Sequence, residues 1–278
     1  MGVEKGTLAG KVVVITGGGT GLGRAMAFRL AEEGADIVVA ARRLAPLEET
    51  AAGVRERGGK ALVLSTDVTD TAQVKALFEK TLAEMGRIDV LINNAGIVRG
   101  ERPKAMWEIT DEEWHRGIEV NLSSAFYCSR EVSRYFAERR EGKIILVASG
   151  EGFRGQRNSF MYNTAKAGVV NLTRVMALSL AEFNVRVNCI VPGFVDTYAY
   201  QPEDYQKVMA ERRAARKLFV PVGQPGKPDD IGYVALFLCS DASDYITGGC
   251  FIADGGGLAG GFATTGYAPV ISLEEGWV

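Results

Sequence analysis

The chain has 278 residues, 47% of them hydrophobic and 24% charged. Those proportions belong to a globular protein with room for one large core or two small ones. A net charge of -2 argues against a nucleic-acid or anionic-membrane partner, and the single histidine, His115, removes histidine-built zinc sites and Ser-His-Asp triads.

The opening stretch, MGVEKGTLAGK, has no apolar core of the kind a secretory signal carries. No run approaches the ~18 apolar residues of a membrane span. KVVVIT (11–16) is an apolar, β-branched run of buried-strand length, and it leads straight into TGGGTGLGRAMA (16–27). Such a glycine-rich turn opening a helix turns backbone N–H groups toward a pyrophosphate at the positive helix end. The spacing is TGxxxGxG through Gly17, Gly21 and Gly23, not the commoner GxGxxG. Further apolar runs follow at 36–41, 61–66, 89–94, 142–149, 185–192 and 250–254, separated by helix-like segments at 22–33, 45–57, 70–85, 111–138, 161–183 and 229–239. Continuous apolar runs suit strands covered on both faces, and their alternation with helices predicts a parallel sheet. The expected fold is therefore a single α/β domain of Rossmann type, a doubly wound seven-stranded parallel sheet with helices on both faces.

Two stretches interrupt the rhythm. Residues 193–228 form a long insertion after a strand, rich in tyrosine, proline and charge, and are expected to act as a substrate lid. Residues 257–278 are glycine-rich and expected to be an irregular tail. Cys128, Cys189, Cys239 and Cys250 form no CxxC pair, and three of them lie in apolar segments, which reads as buried free thiols in a reducing cytoplasm.

Several of these stretches, in this order, resemble the short-chain dehydrogenase/reductase family. The resemblance runs from about residue 8 to 257 and is carried by TGxxxGxG, NNAG (93–96), YNTAK (162–166) and PGFVDT (192–197). It implies a nicotinamide cofactor held by Gly17, Thr20, Gly21, Leu22 and Gly23 in the turn. Asp67 and Val68 would flank the adenine, and Asn94, Ala95 and Gly96 would follow the fourth strand. Pro192, Gly193, Val195 and Thr197 would close over the nicotinamide, with Thr197 placed for its carboxamide. At the end of the second strand an NAD enzyme carries a carboxylate, whereas a 2′-phosphate requires a cation. Here Ala41 is followed by Arg42 and Arg43. Arginine's planar fork suits phosphate, so NADP(H) is the expected cofactor, with NAD(H) possible.

The resemblance also assigns chemistry. Tyr162 and Lys166 match the family's proton-transferring YxxxK pair, on one helix face a turn apart. Ser149, thirteen residues before the tyrosine, matches the serine that binds the reacting oxygen, and Asn121 matches the residue supporting the lysine. A free tyrosine titrates near pH ~10, and lowering that by about three pH units takes on the order of 4 kcal/mol. A neighbouring ammonium and a positive nicotinamide are the expected source.

The implied reaction interconverts a ketone or aldehyde and a secondary alcohol. A reductase of acyl-carrier-protein or coenzyme A thioesters is one alternative, although EFN (182–184) lacks the basic residue such enzymes place before the sixth strand. A non-catalytic NADP-binding sensor is the other. Arg99, Arg102, Lys104, Arg154 and Arg157 suggest attraction of an anionic substrate, unless they pair with Glu101 and Glu151. The family pattern further implies a homotetramer, with helices 111–138 and 161–183 paired across one dyad and the last strand and tail at another.

Overall fold

The computed structural model describes residues 6–97, 105–197 and 220–259, together with Lys207, Glu211 and the backbone of 271–272 and 276–277. Seven parallel strands form one sheet in the order β3-β2-β1-β4-β5-β6-β7. They are β1 (Val12–Thr16), β2 (Asp36–Ala41), β3 (Ala61–Ser65), β4 (Val90–Asn93), β5 (Gly142–Val147), β6 (Val185–Pro192) and β7 (Cys250–Ala253). β-Branched residues dominate β1, and all five of its side chains are buried, as expected where helices cover both faces. The edges differ: β3 and β7 are only half-buried, because each has a neighbour on one side alone.

The helices are α1 (Gly21–Glu32), α2 (Leu44–Glu56), α3 (Thr71–Met85), α4 (Asp111–Ile118), α5 (Ser124–Arg139), α6 (Phe160–Leu180) and α7 (Pro228–Cys239). Met26, Leu30, Leu47 and Ile231 from α1, α2 and α7 form one core against the sheet. Leu77, Phe78, Phe136 and Val169 from α3, α5 and α6 form the second core on the opposite face. Local chemistry sets several ends. The Asp70 carboxylate accepts from the Ala72 and Gln73 N–H groups at 2.9 and 3.2 Å to start α3, and Gly86, at φ 76°, stops it.

The predicted helix 111–138 is not continuous. Glu119–Ser123 forms a π-helical turn between α4 and α5, centred on Asn121. Periodicity alone cannot reveal it, because one extra residue in a turn leaves the apolar stripe on either side intact. Most of the expected lid, 198–219, and most of the tail lie outside the described residues. Within the tail, Ile271–Ser272 (β8) pairs antiparallel with Gly276–Trp277 (β9), a short regular piece where an irregular chain is expected.

At the amino ends of the strands, Asp89 is 3% exposed at its side chain. It accepts from Arg87 Nε and Nη2 at 2.8 and 2.6 Å, from the Val12 N–H at 2.8 Å and from Arg139 Nη2 at 3.4 Å. This cluster anchors the edge opposite the site. At the carboxyl ends the chain leaves β1 and β4 toward opposite faces, and the crevice this opens is where a doubly wound sheet binds ligands.

Candidate active site

The glycine turn sits in that crevice. Gly17 and Gly21 have φ of 67° and 53°, a region that side chains disfavour. A Cβ on Gly23 would lie 2.3 Å from the Gly17 carbonyl oxygen and 2.7 Å from Asn94 Nδ2, so only glycine lets α1 approach the end of β1 so closely. A Cβ on Gly21, by contrast, would meet nothing nearer than Thr197 at 3.7 Å. Thr20 precedes the helix in extended backbone without capping it through its side chain, and the first turn carries no acidic residue. The early N–H groups of α1 have no intrahelical partners, and the first turn holds nothing negative. That is the donor set a pyrophosphate requires, and the turn fits it.

Side-chain contacts hold the turn rigid. Asn94 Nδ2 donates to the Thr16 and Gly17 carbonyls at 3.0 and 3.2 Å, and the N–H groups of Asn94 and Ala95 both donate to Thr16 Oγ1 at 3.1 Å. Arg24 clamps the other side, with Nη2 donating to the Gly19 carbonyl at 2.7 Å and to Glu49 at 2.7 Å. Neither Thr16 nor Arg24 was singled out from the sequence. The signals, a hydroxyl at the strand's last position and a cation directly after the third glycine, were present but ambiguous.

The remaining expected cofactor residues stand at or just beyond the carboxyl ends of β2, β3 and β6. Arg42 and Arg43 are exposed, and neither guanidinium has an ion-pair partner among the described residues. Asp67 Oδ1 accepts from Thr69 N and Oγ1 at 3.0 and 2.8 Å, which leaves Oδ2 for an outside donor, while Val68 is buried against the core. Beyond β6, Gly193 is pressed against Asp254, where a Cβ would lie 2.4 Å from the aspartate Cβ. Val195 bridges Gly226, and the Asp196 N–H donates to the Gly226 carbonyl at 2.8 Å. The segment from Pro192 to Thr197 is thereby pinned at the base of the expected lid, with Thr197 over the glycine turn.

Asn121, Ser149, Tyr162 and Lys166 converge from three parts of the chain. Ser149 follows β5 in extended backbone, and its Oγ accepts from the Glu151 N–H at 3.2 Å. Ser149 and Tyr162 are joined by a side-chain hydrogen bond. Lys166 lies one turn along α6, 4% exposed, with Nζ 5.7 Å from the Tyr162 ring centre and donating to the Val147 carbonyl at 2.8 Å. A Cβ on Gly96 would touch Asn121 Oδ1 at 2.9 Å and Lys166 Nζ at 3.6 Å, so both polar groups border one glycine. Asn121 is held by its own bonds, Oδ1 accepting from the Ile97 N–H at 2.9 Å and Nδ2 donating to the Gly117 carbonyl at 3.0 Å. The π turn presents it there.

The electrostatics differ from expectation. Burial holds the Tyr162 phenol above its usual range, opposed by the Ser149 hydrogen bond and reinforced by the Glu151 carboxylate. Burial also lowers Lys166 from 10.5 to about 8. In the chain by itself the phenol is therefore not brought toward neutrality, because desolvation is the largest influence on it. Of the basic residues noted in the sequence, Arg154 pairs with Glu151 at 3.1 Å. Arg157 is exposed with no ion pair among the described residues, and Arg99, Arg102 and Lys104, together with Glu101, lie outside them.

Comparisons with known proteins agree with this geometry. The family model described as short chain dehydrogenase matches residues 11–207. The chain is 37% identical over 250 residues to cis-4-hydroxycyclohexanecarboxylate dehydrogenase of Sinomonas cyclohexanicum, covering 89% of this chain and 96% of that protein. It is 41% identical over 246 residues to (5R,7aS)-5-hydroxy-7a-methyl-1-oxo-2,3,5,6,7,7a-hexahydro-1H-indene-carboxyl-CoA reductase of Mycobacterium tuberculosis, covering 87% and 91%. The crystal structure of a short-chain type dehydrogenase/reductase from Mycobacterium marinum superposes with a TM-score of 0.80 at 34% identity, covering 90% of this chain and 96% of that one.

Proposed function

The chain belongs to the short-chain dehydrogenase/reductase family, and on that premise we propose that it is an NADP(H)-linked enzyme interconverting a ketone and a secondary alcohol, with Tyr162 moving the proton. The observation that carries the reading is the cluster itself: Ser149 bonded to Tyr162, with Lys166 one turn on and Asn121 beside it across Gly96.

Bound nicotinamide supplies or accepts the hydride. The N–H groups at the start of α1 would hold its pyrophosphate, Asp67 Oδ2 would accept from the adenine amine, and Thr197 would meet the carboxamide. Arg42, beside the uncharged Ala41, would take the 2′-phosphate, and that pairing underlies the preference for NADP(H) over NAD(H). Ser149 Oγ accepts from the Glu151 N–H, and with substrate bound its own proton would turn from Tyr162 to the reacting oxygen and orient it. Tyr162, bonded to the same serine, gives its proton to the developing alkoxide in reduction and takes it back in oxidation. Lys166, at about 8, keeps its charge at neutral pH and favours the phenolate left behind. Asn121 fixes the lysine's end of the relay.

The substrate we favour is an alicyclic ketone or alcohol with an anionic handle, a carboxylate or a coenzyme A thioester. Two relatives are named for substrates of that kind, and Arg157 supplies an uncommitted cation on the serine–tyrosine segment. Arg154 is excluded from this role by its pairing with Glu151. Reduction of acyl-carrier thioesters is the narrower second reading, and Glu182 and Phe183 before β6 count against it. A sensor role is disfavoured because all four site residues are retained. Four free cysteines suit a reducing, cytoplasmic compartment. A homotetramer is the proposed assembly, supported by exposed Phe126, Val175 and Leu178 on α5 and α6.

The test is NADPH oxidation with a panel of neutral and anionic cyclic ketones. Tyr162→Phe should bind NADPH as the parent does and lose at least about a hundredfold in turnover. A variant that retains most of its activity would overturn the role given to Tyr162.

A further inference from the structure

One charged group beside the relay has no part in the scheme above. Glu151 lies two residues after Ser149, its side chain only 19% exposed, on the 3₁₀ turn Gly150–Gly152. Oε1 accepts from Arg154 Nη2 at 3.1 Å and Oε2 from Asn163 Nδ2 at 3.2 Å. Asn163 is the residue after Tyr162, and its Nδ2 also donates to the Arg154 carbonyl at 2.9 Å. The carboxylate therefore ties the segment carrying the serine to the helical turn carrying the tyrosine. Gly152 completes the seam, since a Cβ there would meet the Lys166 carbonyl oxygen at 2.7 Å. No bond outside this seam uses the Glu151 carboxylate among the described residues, and its two oxygens each take a separate donor, which a neutral amide with one acceptor oxygen could not do.

We infer that Glu151 is a positioning residue for Tyr162, its carboxylate holding the serine-bearing turn against the turn of α6 that carries the tyrosine. The inference rests on the proposed proton relay and adds a residue to it. The groups facing the phenol support it. Ser149 and Glu151 come from the segment after β5 and Lys166 from α6; behind them Arg154 pairs with Glu151, the uncharged Asn121 borders Gly96 beside Lys166, and Cys189 of β6 lies near Lys166. Among these, Glu151 is the nearby carboxylate, and it opposes phenolate formation, in the same direction as burial. A phenol so held stays protonated until cofactor and substrate arrive, which suits carbonyl reduction, where the proton must be given.

Charge and geometry separate in two variants. Glu151→Gln can still accept from Asn163 but removes the charge, whereas Arg154→Met, at a guanidinium 54% exposed, leaves the carboxylate uncompensated. The pH profile of alcohol oxidation and the Tyr162 phenolate titration of cofactor-free protein, read as the ultraviolet difference from Tyr162→Phe, are measured for each. Glu151→Gln should move both midpoints to lower pH by about 0.5 pH unit or more, and Arg154→Met should move them to higher pH. Added salt should shrink the second shift more, because that pair is the more exposed. Unmoved midpoints in a folded Glu151→Gln protein, or shifts of the same sign in both variants, overturn the inference. Absence of turnover in the unaltered enzyme overturns the proposed function instead, and the phenolate titration still decides the role of Glu151.

Discussion

Lys166→Met keeps an unbranched side chain of similar length and deletes a buried ammonium. Lys166 is 4% exposed, and its pKa falls from 10.5 to about 8 on burial. At about 1.4 kcal/mol per pH unit, that gap means the charged lysine costs the native state about 3 kcal/mol at neutral pH. Methionine removes this cost and fills the same space, but it leaves the Val147 carbonyl without the donor now at 2.8 Å, a loss of about 1 kcal/mol. The variant should therefore be more stable by about 2 kcal/mol near pH 7 while losing its activity, as expected where a site is held at the expense of stability. The sign of the pH dependence follows from proton counting. Between about 8 and 10.5 the unfolded wild type binds more protons than the native one, so its stability rises with pH there, and the variant lacks that gain. Urea unfolding of both proteins at one protein concentration, near pH 7 and near pH ~10, measures the difference. The advantage of the variant should shrink by most of its value at the higher pH. A variant less stable than wild type near neutrality, or an advantage that does not change with pH, would refute the reasoning.

Other outcomes follow from the same contacts. Asp89→Asn strips a buried carboxylate from Arg87, Arg139 and the Val12 N–H, and should lower stability by about 3 kcal/mol in urea while sparing kcat, since the cluster sits at the amino ends of the strands, opposite the site. Replacing Ala41 by Asp together with Arg42→Ser should shift the ratio of kcat/KM values from NADPH toward NADH by about ten- to a hundredfold; a wild type that already prefers NADH would contradict the role of Arg42. Light scattering should give a mass about four times that of the chain, and Leu178→Asp, at a position 83% exposed in the single chain, should lower it.

The seven strands, the order of the helices and the glycine turn were legible in the sequence because each is a local pattern. KVVVIT is apolar throughout since β1 is buried on both faces, and Gly23 must be glycine since the Gly17 carbonyl leaves no room for a Cβ. Tyr162, Lys166 and Ser149 were legible as residues for a similar reason, standing at short, fixed separations on α6 and at the end of β5. Tertiary structure decided what these groups experience. Burial lowers Lys166 to about 8, and Tyr162 is held protonated because burial and Glu151 together exceed the opposing Ser149 hydrogen bond. Arg154 looked available to an anion until the fold set Glu151 against it. Residue types and their spacing along the chain name the chemical groups. Desolvation and charge pairing depend on distances through space, between residues far apart in sequence, and these set the energy at which each group works.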